Sequence, residues 1–513
     1  MPVDPSPGRG PSDARGESPL DRELVARMRA DLLAAGFTVD AVADRIGPAA
    51  AAALHREQAL PAERVTRGAG DPVATLVRLF VLGRETAGDD VERALPSLGV
   101  SGARALGLLQ DGETADSVRA ALDLRPYGDG THDWWLASDL GELVTQAPLR
   151  EDHVLGVGGA SMTLAAWTPR PGARRVLDLG TGCGVQALHA STHAGEVVAT
   201  DLSARAVELA RLNAALNGVE WDVRQGSLFE PVAGERFDLI VSNPPFVITP
   251  RIEGVPVYEY RDGGLAADSL VRSVVRDVGQ HLEPGGIACF LGNWEITATR
   301  DWRDVWTDWL DGTGLDAWVV QRETQDPAEY AELWIRDGGT SAATADFDRL
   351  YEAWLDDFAA REVTEIGFGV CVLQRPATER QPFRDLVEHS GPVASPMGPA
   401  VLQGIRARTY LAEHTDEEIL DVAWQVADDV TEERYGRPGA EDPQVIQVRQ
   451  GGGLGVTHRL GTAQAAYLSV CDGSLTARQA LTAIAALLQR DSADVQAETL
   501  PLLRALVADG LLR

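Results

Sequence analysis

The chain has 513 residues, 44% of them apolar and 24% charged, which suits a globular protein of about three domains and excludes a disordered or fibrous one. Its 46 basic residues stand against 77 acidic ones, a net charge of −31, so general phosphate attraction, which needs clustered positive charge, cannot hold it to nucleic acid; a local basic groove stays open. Every basic residue is arginine, which excludes chemistry built on a catalytic lysine.

Residues 1–23 are rich in Pro, Gly, Ser and charge and read as a flexible leader. Without an apolar h-region they are no signal peptide. Residues 24–150 read as a mostly helical, winged-helix-like domain. Leu24, Met28, Leu32 and Leu33 recur at helical spacing, as do Val73, Leu76, Leu79, Phe80 and Leu82. Leu122–Pro126 and Trp134–Ala137 flank Gly128-Asp129-Gly130 as a hairpin.

Residues 151–376 alternate strands with helices. Arg174–Leu179, Glu196–Asp201, Glu220–Arg224, Phe237–Ser242, Gly286–Leu291, Asp316–Arg322 and Ile366–Leu373 are mostly short apolar runs, as expected of strands covered on both faces. This is an α/β, doubly wound arrangement of seven strands. Ser203 is expected to cap a helix that Gly218 ends, and a helical insertion is expected at about 326–362. Trp302, Trp306 and Trp309 share a helical face and read as core, as do Trp134 and Trp135.

Residues 377–513 read as an α+β, winged-helix-like C-terminal domain without a basic recognition face. Glu413–Asp442 carries eleven acidic residues and two arginines and reads as a solvated helical face. Two strands and two amphipathic helices follow. The four cysteines are far apart and no Cys/His spacing suits a metal, so no metal site is expected. So few thiols suit a reducing cytosol, and no apolar run reaches the roughly 18 residues of a membrane span.

Four features carry chemistry. Asp178-Leu179-Gly180-Thr181-Gly182-Cys183-Gly184 follows a strand and opens a helix; glycines there allow a sharp turn and close approach of a ligand. Asp201 closes the next strand, where a carboxylate can accept from both ribose hydroxyls of a nucleoside cofactor. Gly226-Ser227-Leu228-Phe229, after the third strand, offers small and apolar groups for the faces of an adenine. Ser242-Asn243-Pro244-Pro245-Phe246 ends the fourth strand. Its prolines fix the backbone, so that the Asn243 side-chain oxygen and the Pro244 carbonyl can both accept from one NH2 group while Phe246 stacks on the plane that carries it. Two such acceptors draw the nitrogen toward tetrahedral geometry and expose its lone pair. Asn occurs only at 213, 217, 243 and 293, and its scarcity marks the one at this strand end as more than filler.

As a set, these residues resemble a class I S-adenosylmethionine-dependent methyltransferase, and within that class the HemK/PrmC glutamine N-methyltransferases and the amino-methyltransferases of adenine or guanine. Leu212-Asn213 with Asn217-Gly218, Glu230-Pro231, Val247-Ile248-Thr249-Pro250, Arg261-Asp262-Gly263-Gly264-Leu265, Leu282-Glu283-Pro284-Gly285-Gly286 and the stretch Gly156–Thr163 extend the likeness, which covers about a quarter of the chain. It implies a Rossmann-like fold and S-adenosylmethionine as cofactor. Gly180, Thr181, Gly182 and Gly184 would pass its methionine part with Asp178 near the ammonium. Asp201 and Leu202 would take the ribose, and Ser227 and Leu228 the adenine. Asn243, Pro244, Pro245 and Phe246 would hold the target nitrogen. Phe246 stands where glutamine methyltransferases usually have Tyr, and Ser227 replaces a common Asp. The resemblance implies a cytoplasmic enzyme that methylates a macromolecule, foremost a glutamine of a release-factor-like protein. The alternatives are an exocyclic amine of RNA or DNA, for which Arg251, Arg261, Arg272 and Arg276 would form a basic groove around Asn243, and a non-catalytic cofactor-binding interaction protein.

Overall fold

The computed structural model describes residues 20–56, 58–145, 150–251, 255, 261, 267–338, 340, 344–439 and 442–513. The expected leader lies outside them up to residue 19, as does 262–265 of the Arg261–Leu265 motif. The chain divides into two compact units, one ending at Ala121 and one from Leu122 to Arg513. The division falls before the Trp134 hairpin, which was expected in the N-terminal domain and belongs to the larger unit.

The smaller unit opens with the helix Arg22–Ala35, capped by the Asp21 carboxylate, which accepts from Glu23 N and Leu24 N, and stopped by Gly36 at φ 64°. Val25, Met28 and Leu32 are buried, but Leu33, expected beside them, is 62% exposed. A 100° step from Leu32 carries it off the apolar stripe. Asp31 takes a buried place instead and accepts from the backbone of Ser97 and Leu98. Three strands of two to four residues, Thr86–Ala87, Leu109–Asp111 and Ser117–Ala120, form a small antiparallel sheet. They are too short to show alternation in sequence, which is why only helices were expected here.

The larger unit is built on a sheet of β1 (Ala173–Leu179), β2 (Ala194–Asp201), β3 (Asp222–Gln225), β4 (Phe237–Ser242), β5 (Leu282–Thr297), β6 (Asp316–Gln325), β7 (Val363–Gln374) and β8 (Arg384–Glu388). Their order is β8-β6-β7-β5-β4-β1-β2-β3. Only β7 runs antiparallel to its neighbours. All seven expected strands occur. The eighth, β8, carries the sheet past the expected boundary at residue 376. As a half-covered edge strand its sequence, Arg-Asp-Leu-Val-Glu, is too polar to announce itself.

Neighbouring residues of the central strands feed opposite cores. Leu177 and Ile240 join Val271, Phe290 and Trp306 on one face. Val176 and Val241 join Leu164, Cys289 and Val401 on the other. Burial on both sides is what makes these strands read as unbroken apolar runs. Helices α1 (Gly159–Trp167), α2 (Val185–Ala190), α3 (Ala204–Asn217), α4 (Ser269–Asp277) and α5 (Trp302–Leu310) cover the sheet. Trp302, Trp306 and Trp309 of α5 are buried core as expected, with Trp294 stacked on Trp302. The expected insertion forms α6 (Pro327–Asp337) and α7 (Ala345–Ala360).

After α8 (Gly398–Glu413), which packs Val401 and Ile405 into the sheet's core, the chain builds a three-stranded antiparallel sheet of Val430–Tyr435, Val445–Gln450 and Thr457–Leu460. Three helices complete it: Thr462–Leu468, Ala477–Leu488 and Ser492–Ala508. Of the acidic stretch expected to be helical, Glu413 ends α8 and Asp416–Leu420 forms a short helix, while the rest includes the strand Val430–Tyr435. Charge density marks solvent exposure and not conformation. Among the described residues no helix is long and apolar enough to cross a membrane, and no cluster of His, Cys, Asp and Glu is placed to hold a metal ion. All four cysteines are buried free thiols.

Candidate active site

The chain leaves β1 for β2 and β3 on one side and returns through β4 and β5 on the other. This places the carboxyl ends of β1 and β4 at the switch point where open α/β sheets hold ligands. A cavity of about 690 Å³ opens there.

The loop after β1 turns through three glycines at positive φ: Gly180 at 74°, Gly182 at 54° and Gly184 at 91°. Its backbone is fastened to β2. Gly180 N and Thr181 N both donate to the Thr200 carbonyl at 2.9 Å, and Gly182 N donates to Asp201 Oδ2 at 2.8 Å. Ser203, expected to cap α3 with its hydroxyl, makes no side-chain cap; its backbone N–H donates to Asp201 Oδ1 at 2.9 Å. Asp201 is thus oriented by both flanking loops, at the cavity wall. Gly218 ends α3 at φ 68° as expected.

Asp178 lies beneath the loop, fully buried and outside the cavity lining. Its Oδ2 accepts from Thr181 Oγ1 at 2.7 Å and Ala187 N at 2.9 Å, while Oδ1 is buried without a partner. Burial pushes its carboxyl up to about 7 against these bonds. Gly184 is likewise behind the wall, its Cα against the Trp221 ring.

After β3, Ser227 and Leu228 line the cavity, Leu228 in the left-handed region at φ 45°. Phe229 faces away and stacks on His281 at 4.5 Å. After β4, Ser242 Oγ donates to the Leu179 carbonyl at 2.7 Å, tying the ends of β4 and β1 together. Asn243, Pro244, Pro245 and Phe246 all line the cavity, and Asn243 Oδ1 is a buried acceptor with no partner among the described residues. Beyond them Ile248 N donates to Tyr330 Oη at 2.9 Å, which also receives Asn293 Nδ2 at 2.9 Å.

Of the expected site residues, Gly180, Thr181, Gly182, Asp201, Leu202, Ser227, Leu228 and Asn243–Phe246 meet at this one cavity, which Gly156–Ser161 also lines. Asp178 and Gly184 do not reach it. Sequence reasoning expected the hairpin but not its place at the site: Asp123, Arg125 and Tyr127 of its strand Asp123–Gly128 line the cavity, and so do Asp139, Trp334 and Asp337, which it also missed. The alternation of 123, 125 and 127 was the available signal. Of the four arginines considered for a basic groove, only Arg261 lines the cavity; it is 5% exposed and donates to the Trp334 carbonyl.

The family described as Methyltransferase small domain matches residues 156–300, and a domain of unknown function matches residues 34–121. A ribosomal protein uL3 glutamine methyltransferase of Bradyrhizobium diazoefficiens is 32% identical over 187 residues, 34% of this chain and 57% of that protein. A release factor glutamine methyltransferase of Geobacter sulfurreducens is 40% identical over 125 residues, 23% of this chain and 44% of that one. A ribosomal RNA small subunit methyltransferase C of an Enterobacter species is 38% identical over 138 residues, 26% of this chain and 35% of that one. The chain thus spans about half the length of the first two relatives and about a third of the last.

Proposed function

We propose, from the match of residues 156–300 to the family described as Methyltransferase small domain, that this protein is a class I S-adenosylmethionine-dependent N-methyltransferase acting on a planar amide or amino nitrogen, foremost a protein glutamine side chain. The observation that carries the reading is Asn243 Oδ1, a buried acceptor without a partner among the described residues, at the wall of the cavity that Asp201 and the glycine loop share. A buried carbonyl oxygen left unpaired is costly, and an NH2 group entering beside Phe246 would satisfy it.

The residues present fit the cofactor. Asp201 would accept from the ribose hydroxyls, Ser227 and Leu228 would flank the adenine, and Gly180–Gly182 leave room for close approach. When bound, S-adenosylmethionine supplies an electrophilic methyl group on a positively charged sulfur. Asn243 and the Pro244 carbonyl would hold the acceptor's N–H groups and turn its lone pair out of conjugation, and Phe246 would fix the acceptor's plane. Asp178, buried beneath the loop, would serve by bracing Thr181 and the start of α2.

The cavity wall favours a protein acceptor. It carries Asp123, Asp139, Asp201 and Asp337 against Arg125 and Arg261 among the described residues, a poor match to a phosphate backbone. The second reading, an exocyclic amine of RNA or DNA, is supported by Phe246 and by the relative named a ribosomal RNA methyltransferase. The test is transfer of labelled methyl from S-adenosylmethionine into fractionated lysate by wild type and Asn243→Ala. Label in a protein band that the variant loses supports the glutamine reading; label in nucleic acid overturns it in favour of the second.

A further inference from the structure

One side chain bridges the hairpin of Asp123–Gly128 and Asp133–Ser138 directly to the glycine loop. Asn213 Nδ2 donates to the Ala137 carbonyl at 2.9 Å and to the Cys183 carbonyl at 2.8 Å. Ala137 pairs with Leu124 across the hairpin, and Leu136 pairs with Arg125. Arg125 therefore stands one register step from the point that ties the hairpin to the loop. Asp123 and Arg125 fall on one face of the strand, and both line the cavity.

The Asp123 carboxylate is buried and holds Arg125 by Nε at 2.8 Å and by a terminal nitrogen at 2.7 Å. The Arg125 side chain keeps 52% of its surface open. Arg261, the other arginine at the described cavity wall, is buried and engaged with the Trp334 carbonyl. The glycine loop has few donors to spare. The backbone N–H groups of Gly180, Thr181, Gly182 and Gly184 all bond within the chain, to Thr200, Asp201 and Thr181. An anionic group entering beside this loop would meet carboxylates and committed amides, with one guanidinium fork facing it.

We propose that Arg125, oriented by Asp123, binds the carboxylate at the methionine end of the cofactor. The proposal rests on the reading that this cavity takes S-adenosylmethionine. It makes the hairpin part of the cofactor site, with Asp123 as the positioning residue that presents the remaining N–H groups of the guanidinium.

The test compares two nucleosides by titration calorimetry: S-adenosylhomocysteine, which keeps the amino-acid end, and 5′-methylthioadenosine, which lacks it. Arg125→Gln should weaken S-adenosylhomocysteine roughly ten- to hundredfold, as expected for loss of a charged hydrogen-bonded partner, and Arg125→Lys should recover part of that. Binding of 5′-methylthioadenosine should stay within about twofold. Because Arg125→Gln strands a buried carboxylate, the double variant Asp123→Asn/Arg125→Gln is measured as well and should show the same selective loss. Unchanged S-adenosylhomocysteine binding, or parallel loss of both nucleosides, overturns the proposal while leaving the methyltransferase reading intact. Wild-type protein that binds neither nucleoside overturns both.

Discussion

Asn213 and Asn217 sit one turn apart on α3, and their side-chain amides pair with the backbone of Ala137 and Trp135 as a neighbouring strand would. Asn213 Oδ1 accepts from Ala137 N at 2.8 Å and its Nδ2 donates to Ala137 O; Asn217 Oδ1 accepts from Trp135 N at 2.9 Å and its Nδ2 donates to Trp135 O at 2.7 Å. The match is geometric. Four helical residues rise about 6 Å, and two strand residues about 6.7 Å. Asn213→Ala should destabilise the larger unit by about 1–3 kcal/mol, because it leaves buried backbone groups unpaired, and more than Asn217→Ala, because Asn213 is fully buried and also holds Cys183. Urea unfolding measures both. Equal midpoints for Asn213→Ala and wild type would remove the clamp from the account.

Tyr330 acts on the acceptor side of the cavity. Its hydroxyl receives Ile248 N, two residues beyond Phe246, and Asn293 Nδ2. Tyr330→Phe strands both donors in a buried place and loosens the chain that carries Phe246. Methyl transfer should fall about tenfold in kcat, as expected for about 1.4 kcal/mol of lost positioning. The affinity for S-adenosylhomocysteine should stay unchanged, since the Tyr330 hydroxyl holds Ile248 and Asn293, neither of which lines the cavity. A fall in cofactor affinity of similar size would show that Tyr330 braces the whole cavity instead.

The same asparagines show what was legible beforehand. In a chain with only four, scarcity pointed to Asn243, yet Asn213, Asn217 and Asn293 also hold backbone or hydroxyl groups around the cavity. The glycine loop, Asp201 and the Asn-Pro-Pro-Phe turn were legible because each is a local sequence at a strand end. The seven strands were legible because burial on both faces leaves unbroken apolar runs. The hairpin's place was not. Its attachment depends on side chains on α3 some eighty residues later in the chain, and strand periodicity says nothing of such a partner. The distinction between Asp178 and Asp201 was hidden too. Both are carboxylates next to the loop, and only the fold sends one beneath it and the other to its rim.

That difference gives Asp178 a pH signature. Its carboxyl is pushed up from 3.8 to about 7 by burial. A carboxyl raised on folding binds its proton more tightly in the folded state, so its contribution to stability is complete below about pH 4 and is lost as pH rises through about 7. Asp178→Asn cannot ionise. It should therefore gain on wild type as pH rises from 4 to 8, by an amount on the order of a few kcal/mol. Glu295, also pushed up to about 7 by burial, titrates in both proteins and cancels from the comparison. Thermal melts at a series of pH values read the difference; a constant gap between variant and wild type would mean that Asp178 stays ionised throughout.

The glycine loop separates binding from folding at two positions. Gly182 stands at φ 54° with open space where a Cβ would go, on the cavity side. Gly184 stands at φ 91°, and a Cβ there would lie 2.6 Å from Trp221 Cζ3, a ring fixed by its own Nε1 bond to Ser191 Oγ. Gly182→Ala should cost only the left-handed backbone penalty of about 1–2 kcal/mol and leave a folded protein. Its methyl would occupy the space open to the cofactor, so S-adenosylhomocysteine affinity should fall at least tenfold. Gly184→Ala adds a clash with a rigid ring to the same penalty, so its midpoint in urea should drop further than that of Gly182→Ala. Whatever part of it folds should bind S-adenosylhomocysteine nearly as wild type does, because Gly184 lies behind the wall. Stability and affinity measured on both variants check this. If Gly182→Ala kept full affinity, the cofactor would not pass over the loop at that position, and the assignment of Gly182 to it would fall.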